Sequence, residues 1–178
     1  MMADHFVDIV ENGLDLLSRI CNRLDSSMIS HRSGTTRRVT VATTGYFEQA
    51  EELKKPDDLV DRDSIVYTHL ATGNEWHFQG TDGTIKVWVG GCFQTNSSVA
   101  IRAAVLSGLG IAVAPIWMFA DEIFRGDLKV VLQDYQPTPL QIHGVYRRSG
   151  FYPAKIVCFI EFLAAEFKLD PWVSDYGV

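Results

Sequence analysis

The sequence predicts an α/β fold, and three observations support this prediction. Segments typical of strands alternate with segments typical of helices over most of the 178 residues, which is the pattern of mostly parallel sheets. The pair Asp82-Gly83 lies between two runs of strand-forming residues and predicts an inserted β-hairpin. The run from Gln94 to Pro115 predicts a capped helix that leads into a strand covered on both faces.

The chain up to the hairpin predicts short helices and turns between strands. Apolar residues on one face, turn-forming glycines and a proline near the start of a turn indicate the boundaries. In chain order the expected elements are a short amphipathic helix from near Asp4 to Gly13, a strand over Leu14–Ile20, two extended segments between Ser27 and Val41 around a turn at Gly34-Thr35-Thr36, a short helix capped by Thr43 or Thr44, a helical turn at Pro56–Leu59, a strand over Ser64–Thr68, and the hairpin strands Trp76–Phe78 and Ile85–Val89.

The next helix is the one whose start is marked most clearly. Asn96-Ser97-Ser98 are side chains that favour N-cap positions, and an Ala-rich stretch with Arg102 as its only charge follows them. Gly108 and Gly110 supply a left-handed stop and a tight turn before the strand Ile111–Ala114. Because this helix has so little polar surface, we expect it to be mostly buried.

The last third of the chain continues the alternation of helix and strand. The expected elements are a helix over Trp117–Phe124 with a stop at Gly126, a strand over Leu128–Leu132, a connection bracketed by Pro137 and Pro139, a strand over Ile142–Tyr146, a helix that starts at Pro153 and carries apolar residues at helical spacing to Phe167, and a loosely held tail from Leu169. The Pro-rich connection over 136–140 and the strand entering Ala42-Thr43-Thr44 are the expected places where the chain passes between two lobes.

Composition excludes several classes of function. The formal net charge of −6 argues against a dedicated nucleic-acid surface, which needs clustered Lys and Arg. No apolar run approaches the roughly 20 residues that cross a bilayer, so no membrane partner is expected. The three cysteines, Cys21, Cys92 and Cys158, form no CxxC pair and predict reduced, buried thiols in a cytoplasmic protein.

Catalytic and cofactor motifs are absent as well. No serine lies in a Gly-x-Ser-x-Gly motif, and the five histidines are scattered singly without zinc-ligand spacing, so neither catalysis nor a metal nor any other cofactor is expected. Gly108-Leu109-Gly110 ends a helix, whereas a dinucleotide site needs glycines that open one. Glu51-Glu52 and Asp57-Asp58 are expected to be solvated acidic surface.

Binding remains the best-supported role. The start of the capped helix offers N–H and hydroxyl donors together with the positive end of a helix dipole, which suits an anion, although plain helix capping explains the same residues. A second polar helix start and the polar end of a strand raise the odds of a ligand-binding cleft. The candidate residues are Asn96, Ser97 and Ser98, then Thr43 and Thr44, and as weaker candidates Thr68 and His69.

Taken as a whole, the chain resembles the effector-binding domain of LysR-type transcriptional regulators. The resemblance covers nearly the whole chain, from about Asp4 to Phe167, with its segments in the order of the family. The segments that carry it are Phe6 to Leu16, Gly34 to Val39, Asn74 to Phe78, Asn96 to Pro115, and Pro153 to Leu163.

The resemblance implies a periplasmic-binding-protein-like fold of two α/β lobes joined by two crossing segments, with a small effector between the lobes. The expected parts are a first lobe over 1–42, a second lobe over 43–138, a return to the first lobe over 139–168 and a tail over 169–178. The opening strand-helix-strand of such a domain is absent from this sequence, so we expect the first lobe to be incomplete. Exposed strand edges would then favour a homo-oligomer.

The expected partner is a small-molecule effector, with a carboxylate as one option. DNA contact is expected only through a winged helix-turn-helix, which this sequence lacks. Two alternatives stay open: a solute-binding protein of a transporter, which shares the fold, and a small α/β enzyme with a dispersed site. A non-enzymatic sensor is the leading interpretation.

Overall fold

A computed structural model of the chain describes residues 7–9, 11–21, 28–48, 53–70, 72–147 and 154–174. The chain forms two compact units. Unit 1 consists of Met1–Arg37 and Pro139–Val178, and unit 2 consists of Arg38–Thr138. Each unit has its own β-sheet, and all the candidate binding residues belong to unit 2.

The described strands form a four-stranded sheet in unit 1, and a five-stranded sheet and a two-stranded hairpin in unit 2; four α-helices are described. The strands are β1 (Leu17–Ile20), β2 (Met28–Thr36), β3 (Arg38–Thr43), β4 (Ser64–Tyr67), β5 (Glu75–Gly80), β6 (Gly83–Trp88), β7 (Gly91–Thr95), β8 (Ile111–Pro115), β9 (Leu128–Val131), β10 (Leu140–Arg147) and β11 (Val173–Ser174). The helices are α1 (Thr44–Glu48), α2 (Ser98–Leu106), α3 (Ala120–Arg125) and α4 (Ala154–Leu169), with 3-10 turns at Pro56–Leu59 and Ile116–Met118.

The sheet of unit 1 is entirely antiparallel, in the order β1-β10-β2-β11. Its strand β2 continues through Gly34 to Thr36, with a bulge at Ser33 where the register with β10 shifts, so the predicted turn at Gly34-Thr35-Thr36 is wrong. A Cβ at Gly34 would lie 2.8 Å from Val173 Cγ1, which shows how closely β11 packs on this strand. The expectation of a loosely held tail from Leu169 is also wrong at Val173, which is buried and paired with Thr36.

Helix α4 covers the sheet of unit 1 through a narrow apolar contact. Ile156 and Ile160 are buried and pack with Tyr146. Phe159 and Phe162 are 47% and 56% exposed, so much of the apolar surface of this helix faces solvent. Pro153 and Glu51-Glu52 lie outside the described residues, as does the start of the helix expected near Asp4. The described residues between 7 and 14 form turns and irregular chain rather than that helix.

Unit 2 has a mixed sheet in the order β7-β4-β8-β3-β9. Strand β4 is parallel to β7 and β8, whereas β3 is antiparallel to β8 and β9. The expectation of mostly parallel sheets is therefore wrong. Strands β7 and β8 are joined by helix α2, and such crossovers give parallel strands, while β3 enters unit 2 directly after β2 with no helix to impose that direction.

The two faces of this sheet carry separate apolar clusters, and side chains of β3 alternate between them. Val39 and Val41 pack with Ile101 of α2 on one face. Ala42 packs on the other face with Phe78 of the β5-β6 hairpin, which forms as the Asp82-Gly83 pair predicts. We call the face with Val39, Val41 and α2 the α2 face, and the face with Ala42 and Phe78 the hairpin face.

Two helices differ from expectation. Helix α2 buries Ile101, Ala104 and Val105 but leaves Val99 75% exposed, so it is amphipathic rather than mostly buried. The helix predicted over Trp117–Phe124 is interrupted at Phe119, whose ring is fully buried, and it becomes a 3-10 turn followed by α3. Burial of that ring fixes the backbone between the two short elements.

The cysteines are more exposed than the sequence predicts. Cys92 and Cys158 are exposed and Cys21 is half-buried, so the prediction of buried thiols is wrong, and all three cysteines are free. Strand β7, which carries Cys92, was not anticipated.

None of the described helices is long and apolar enough to span a membrane.

Candidate functional site

Three strands of unit 2 end at the same edge of the sheet, because β4, β7 and β8 are parallel. Their last residues are Tyr67, Thr95 and Pro115. The N–H of Thr68 donates to the carbonyl oxygen of Thr95 at 2.9 Å and holds the first two strand ends together. We call this the polar edge, and it is where open α/β sheets collect ligands.

Helix α2 begins at the polar edge. Ser97 is its N-cap, and the Ser97 Oγ accepts a hydrogen bond from the N–H of Ala100 at 3.4 Å. The N–H of Ser97 donates in turn to Thr95 Oγ1 at 3.2 Å, so the strand end positions the helix start. The positive end of the helix dipole therefore faces this edge. Sequence reasoning missed Thr95, although its place one residue before the cap motif was a usable signal.

The weaker candidates lie beside this helix start. Thr68 is exposed and follows the last residue of β4, and His69 is half-buried with its ring 5.7 Å from the ring of Tyr67 in an edge-on contact. Asn96 is exposed and precedes the N-cap. The structure therefore brings Thr68 and His69 together with Asn96-Ser97-Ser98 at one edge.

Thr43 and Thr44 lie at the opposite edge of the sheet. Because β3 is antiparallel to β8, its last residue lies beside the beginning of β8, and a Cβ at Gly108 would be 3.4 Å from Thr43 Oγ1. Thr43 Oγ1 accepts from the N–H of Tyr46 at 3.3 Å, and Thr44 Oγ1 donates to the carbonyl oxygen of Gly126 at 2.9 Å. The seven predicted residues thus do not share one location, and these two threonines have local structural partners.

The residue of β3 that does lie at the polar edge is Arg38, which pairs with Pro115 at the end of β8. Arg38 is 7% exposed, and its Nε donates to the carbonyl oxygen of Thr138 at 2.6 Å. Desolvation by burial lowers the pKa of Arg38 to about 10. Sequence reasoning did not consider this residue, because it took its candidates from the other end of β3, at Thr43 and Thr44.

An ion-pair cluster holds α2 against α3. Arg102 Nη2 donates to Glu122 Oε1 at 2.7 Å, and Arg125 Nη2 donates to the same oxygen at 3.1 Å. The hydrogen bond from Arg102 is the main reason why the pKa of Glu122 is lowered, with Arg125 adding to it. Arg102 also lies over the ring of Phe119, 6.0 Å from its centroid. The orientation of α2, and with it the helix start, is fixed by this cluster.

Within the described ranges, no group of three or more His, Cys, Asp or Glu side chains is placed to hold a metal ion. The arrangement at the polar edge consists of hydroxyls, an amide, an imidazole, backbone N–H groups and one guanidinium. Such groups bind and orient a small ligand, and this combination on a mixed sheet is typical of α/β ligand-binding domains.

The chain belongs to the LysR substrate-binding domain family, whose model matches residues 1–168. The transcriptional regulator PtxR of Pseudomonas aeruginosa is 30% identical over 97% of this chain and 55% of its own length. The transcriptional activator AaeR of Escherichia coli is 29% identical over 90% of this chain and 52% of its own length. The chain therefore spans about half the length of these relatives.

A solved structure supports the same assignment. The regulatory domain of AphB from Vibrio vulnificus superposes with a TM-score of 0.65 at 27% identity, over 90% of this chain and 78% of that one. The prediction of an α/β, periplasmic-binding-protein-like fold is confirmed. The relatives are regulators of transcription and not enzymes, which confirms the prediction of a non-enzymatic domain.

Proposed function

We propose that this chain is the ligand-sensing domain of a LysR-type transcriptional regulator and that its effector binds at the polar edge of unit 2. The observation that carries the proposal is the convergence of Thr68, His69 and the Asn96-Ser97-Ser98 helix start at the ends of parallel strands. Thr43 and Thr44 are left out of the proposed site, because the antiparallel direction of β3 takes them to the opposite edge.

The proposed mechanism is a shift between conformations of the regulator. An effector that binds one arrangement of the domain more tightly stabilises that arrangement by the difference in affinity. The acidic chain itself is not proposed to contact DNA, since a helix-turn-helix of the whole regulator would do so. A regulator of this kind acts on the chromosome, so we place it in the cytoplasm.

We also propose that the protein is a homo-oligomer. In unit 1, β1 is an edge strand whose one neighbour among the described strands is β10, and Ile20 at its end is exposed. An open edge of this kind, together with exposed Phe159 and Phe162 on α4, favours association with a second copy. Light scattering at increasing protein concentration tests this, and a constant monomer mass would contradict it.

A thermal-shift screen of small metabolites tests the effector site. A ligand at a hundred times its Kd stabilises the folded state by about 2.7 kcal/mol, which is readily measured. We expect at least one metabolite to raise the Tm of the wild type. Thr68→Val and Asn96→Ala should abolish or reduce that shift.

Thr43→Val is the matched control, because it makes the same change as Thr68→Val at the opposite edge of the sheet. It should lower the basal Tm slightly and leave the ligand-induced shift intact. Loss of the shift only in Thr43→Val, or no loss in either of the two polar-edge variants, would place the site elsewhere.

A further inference from the structure

Arg38 occupies an unusual position at the polar edge. It is the first residue of β3, and the alternation along that strand puts it on the same face as Ala42, which is the hairpin face. Its Nε donates to the carbonyl oxygen of Thr138, while the N–H of Thr138 donates to the carbonyl oxygen of His77 in β5. The guanidinium is thereby held in place from one side.

Nothing in the described part of the chain pairs with the other side of the guanidinium. Among the described residues, no carboxylate lies within 4.0 Å of Arg38, and the bond to Thr138 is its only side-chain hydrogen bond. Neither terminal nitrogen of Arg38, Nη1 or Nη2, is both enclosed and unpaired. Since neither has a hydrogen-bond partner among the described residues, both are in contact with solvent. Arg38 is therefore a largely buried cation whose two terminal nitrogens reach solvent and have no hydrogen-bond partner among the described residues.

A purely structural role does not account for this arrangement. Buried cations are ordinarily paired, because taking an isolated charge out of water is costly. The single bond to Thr138 uses Nε and requires neither the positive charge nor the terminal fork of the guanidinium. Burial also lowers the pKa of Arg38 to about 10, which is the direction expected for a charge without a counter-ion.

We propose that Arg38 is the anion-binding residue of the polar edge and that the effector is a carboxylate held by Nη1 and Nη2. This inference rests on the proposed function and adds the chemical class of the effector. A carboxylate matches the fork of a guanidinium through two parallel hydrogen bonds. Strand β3 is two strands from β4, or roughly 10 Å across the sheet. A carboxylate of a few carbons can therefore reach from Arg38 towards Thr68.

The test uses the 178-residue chain and ligand pairs that differ in charge. Acetate, succinate and benzoate are each compared with their neutral amides, acetamide, succinamide and benzamide, by thermal shift at constant ionic strength. Inorganic phosphate is a further arm, which separates a carboxylate site from a general anion site. The variant is Arg38→Met, and Arg37→Met is the matched control, because it removes the same charge from an exposed neighbour.

We expect at least one carboxylate to raise the Tm of the wild type and of Arg37→Met more than its amide and more than phosphate does. In Arg38→Met the Kd of that carboxylate should rise at least about 30-fold, because the negative charge of the bound carboxylate is left without a partner. Without ligand, Arg38→Met should be as stable as the wild type or more stable, because a buried cation without a counter-ion has been removed.

Other results overturn the inference in distinguishable ways. If uncharged metabolites stabilise the wild type and Arg38→Met equally, the effector site stands and its assignment to an anion is wrong. If phosphate binds as tightly as the best carboxylate, or no carboxylate exceeds its amide, the carboxylate assignment is wrong. If Arg38→Met fails to fold, Arg38 is structural, and Arg38→Lys then decides: unchanged carboxylate Kd in that variant rules out binding by the guanidinium fork.

Discussion

The substitution Thr40→Val should stabilise the protein, even though it removes a polar group from a strand. Thr40 lies in the middle of β3, paired with Val113 on one side and Val131 on the other, and it is 1% exposed. Its Oγ1 has no hydrogen-bond partner among the described residues. Valine has the same shape and an equal preference for strands, so the change replaces an unpaired hydroxyl with a methyl group and little else.

The magnitude follows from the desolvation of that hydroxyl. Burying a hydroxyl without a hydrogen bond costs about 1–3 kcal/mol in proteins. Its removal should therefore raise the free energy of unfolding by about 1–3 kcal/mol. In a chain of this size each kcal/mol shifts Tm by roughly 2–4 °C. Urea denaturation and scanning calorimetry of the two proteins measure the difference.

Thr44→Val is the control, because it makes the same chemical change where the hydroxyl has a partner. Thr44 is exposed and its Oγ1 donates to the carbonyl oxygen of Gly126; because water can partly replace that bond, its loss should cost only about 0.5 kcal/mol. The two variants should therefore shift stability in opposite directions. If Thr40→Val lowers the free energy of unfolding, its hydroxyl is hydrogen-bonded in solution, and the reasoning from an unpaired buried group is refuted.

Three further predictions concern the scaffold of the polar edge. Glu122→Gln should lower Tm above pH 5. The difference in Tm between the variant and the wild type should become smaller as the pH falls through the lowered pKa of Glu122, because protonation removes the same ion pairs. Equal differences in Tm at pH 3 and pH 7 would contradict this. Ser97→Ala should cost about 1 kcal/mol in urea denaturation by removing the N-cap of α2, whereas Ser97→Asp should not. Gly110→Ala should cost about 1–3 kcal/mol, because its Cβ would lie 2.4 Å from the carbonyl oxygen of Asp63. Gly45→Ala, which meets nothing within 4 Å, should be neutral or slightly stabilising, and a similar loss in both glycine variants would argue against the close contact.

Features that depend on neighbouring residues were predictable from the sequence. Asp82-Gly83 specifies a tight turn by its own backbone preferences, and the hairpin forms there. Ser97 caps α2 through a bond to a residue three positions later, so its role is readable locally. The family could be recognised because its segments occur in order along the chain.

Features that depend on pairing between distant residues were not predictable in this way. The residues of β2 allow a turn at Gly34, and only the pairing of this strand with the distant β10, from Thr36 back to Met28, shows a continuous strand. The exposure of Cys92 depends on β7 being the edge strand of the sheet in unit 2. Neither relation leaves a signal in a short window of sequence.

The candidate site shows the same division. The α/β class, the family and a polar helix start at Asn96-Ser97-Ser98 can be inferred from the residues alone. The pairing of the strands was needed to show which end of β3 lies at the same edge as that helix start, and the residue there is Arg38 rather than Thr43 or Thr44. A strand has the same residues and the same alternation whichever way it runs, so its direction is decided only by the strands with which it exchanges hydrogen bonds.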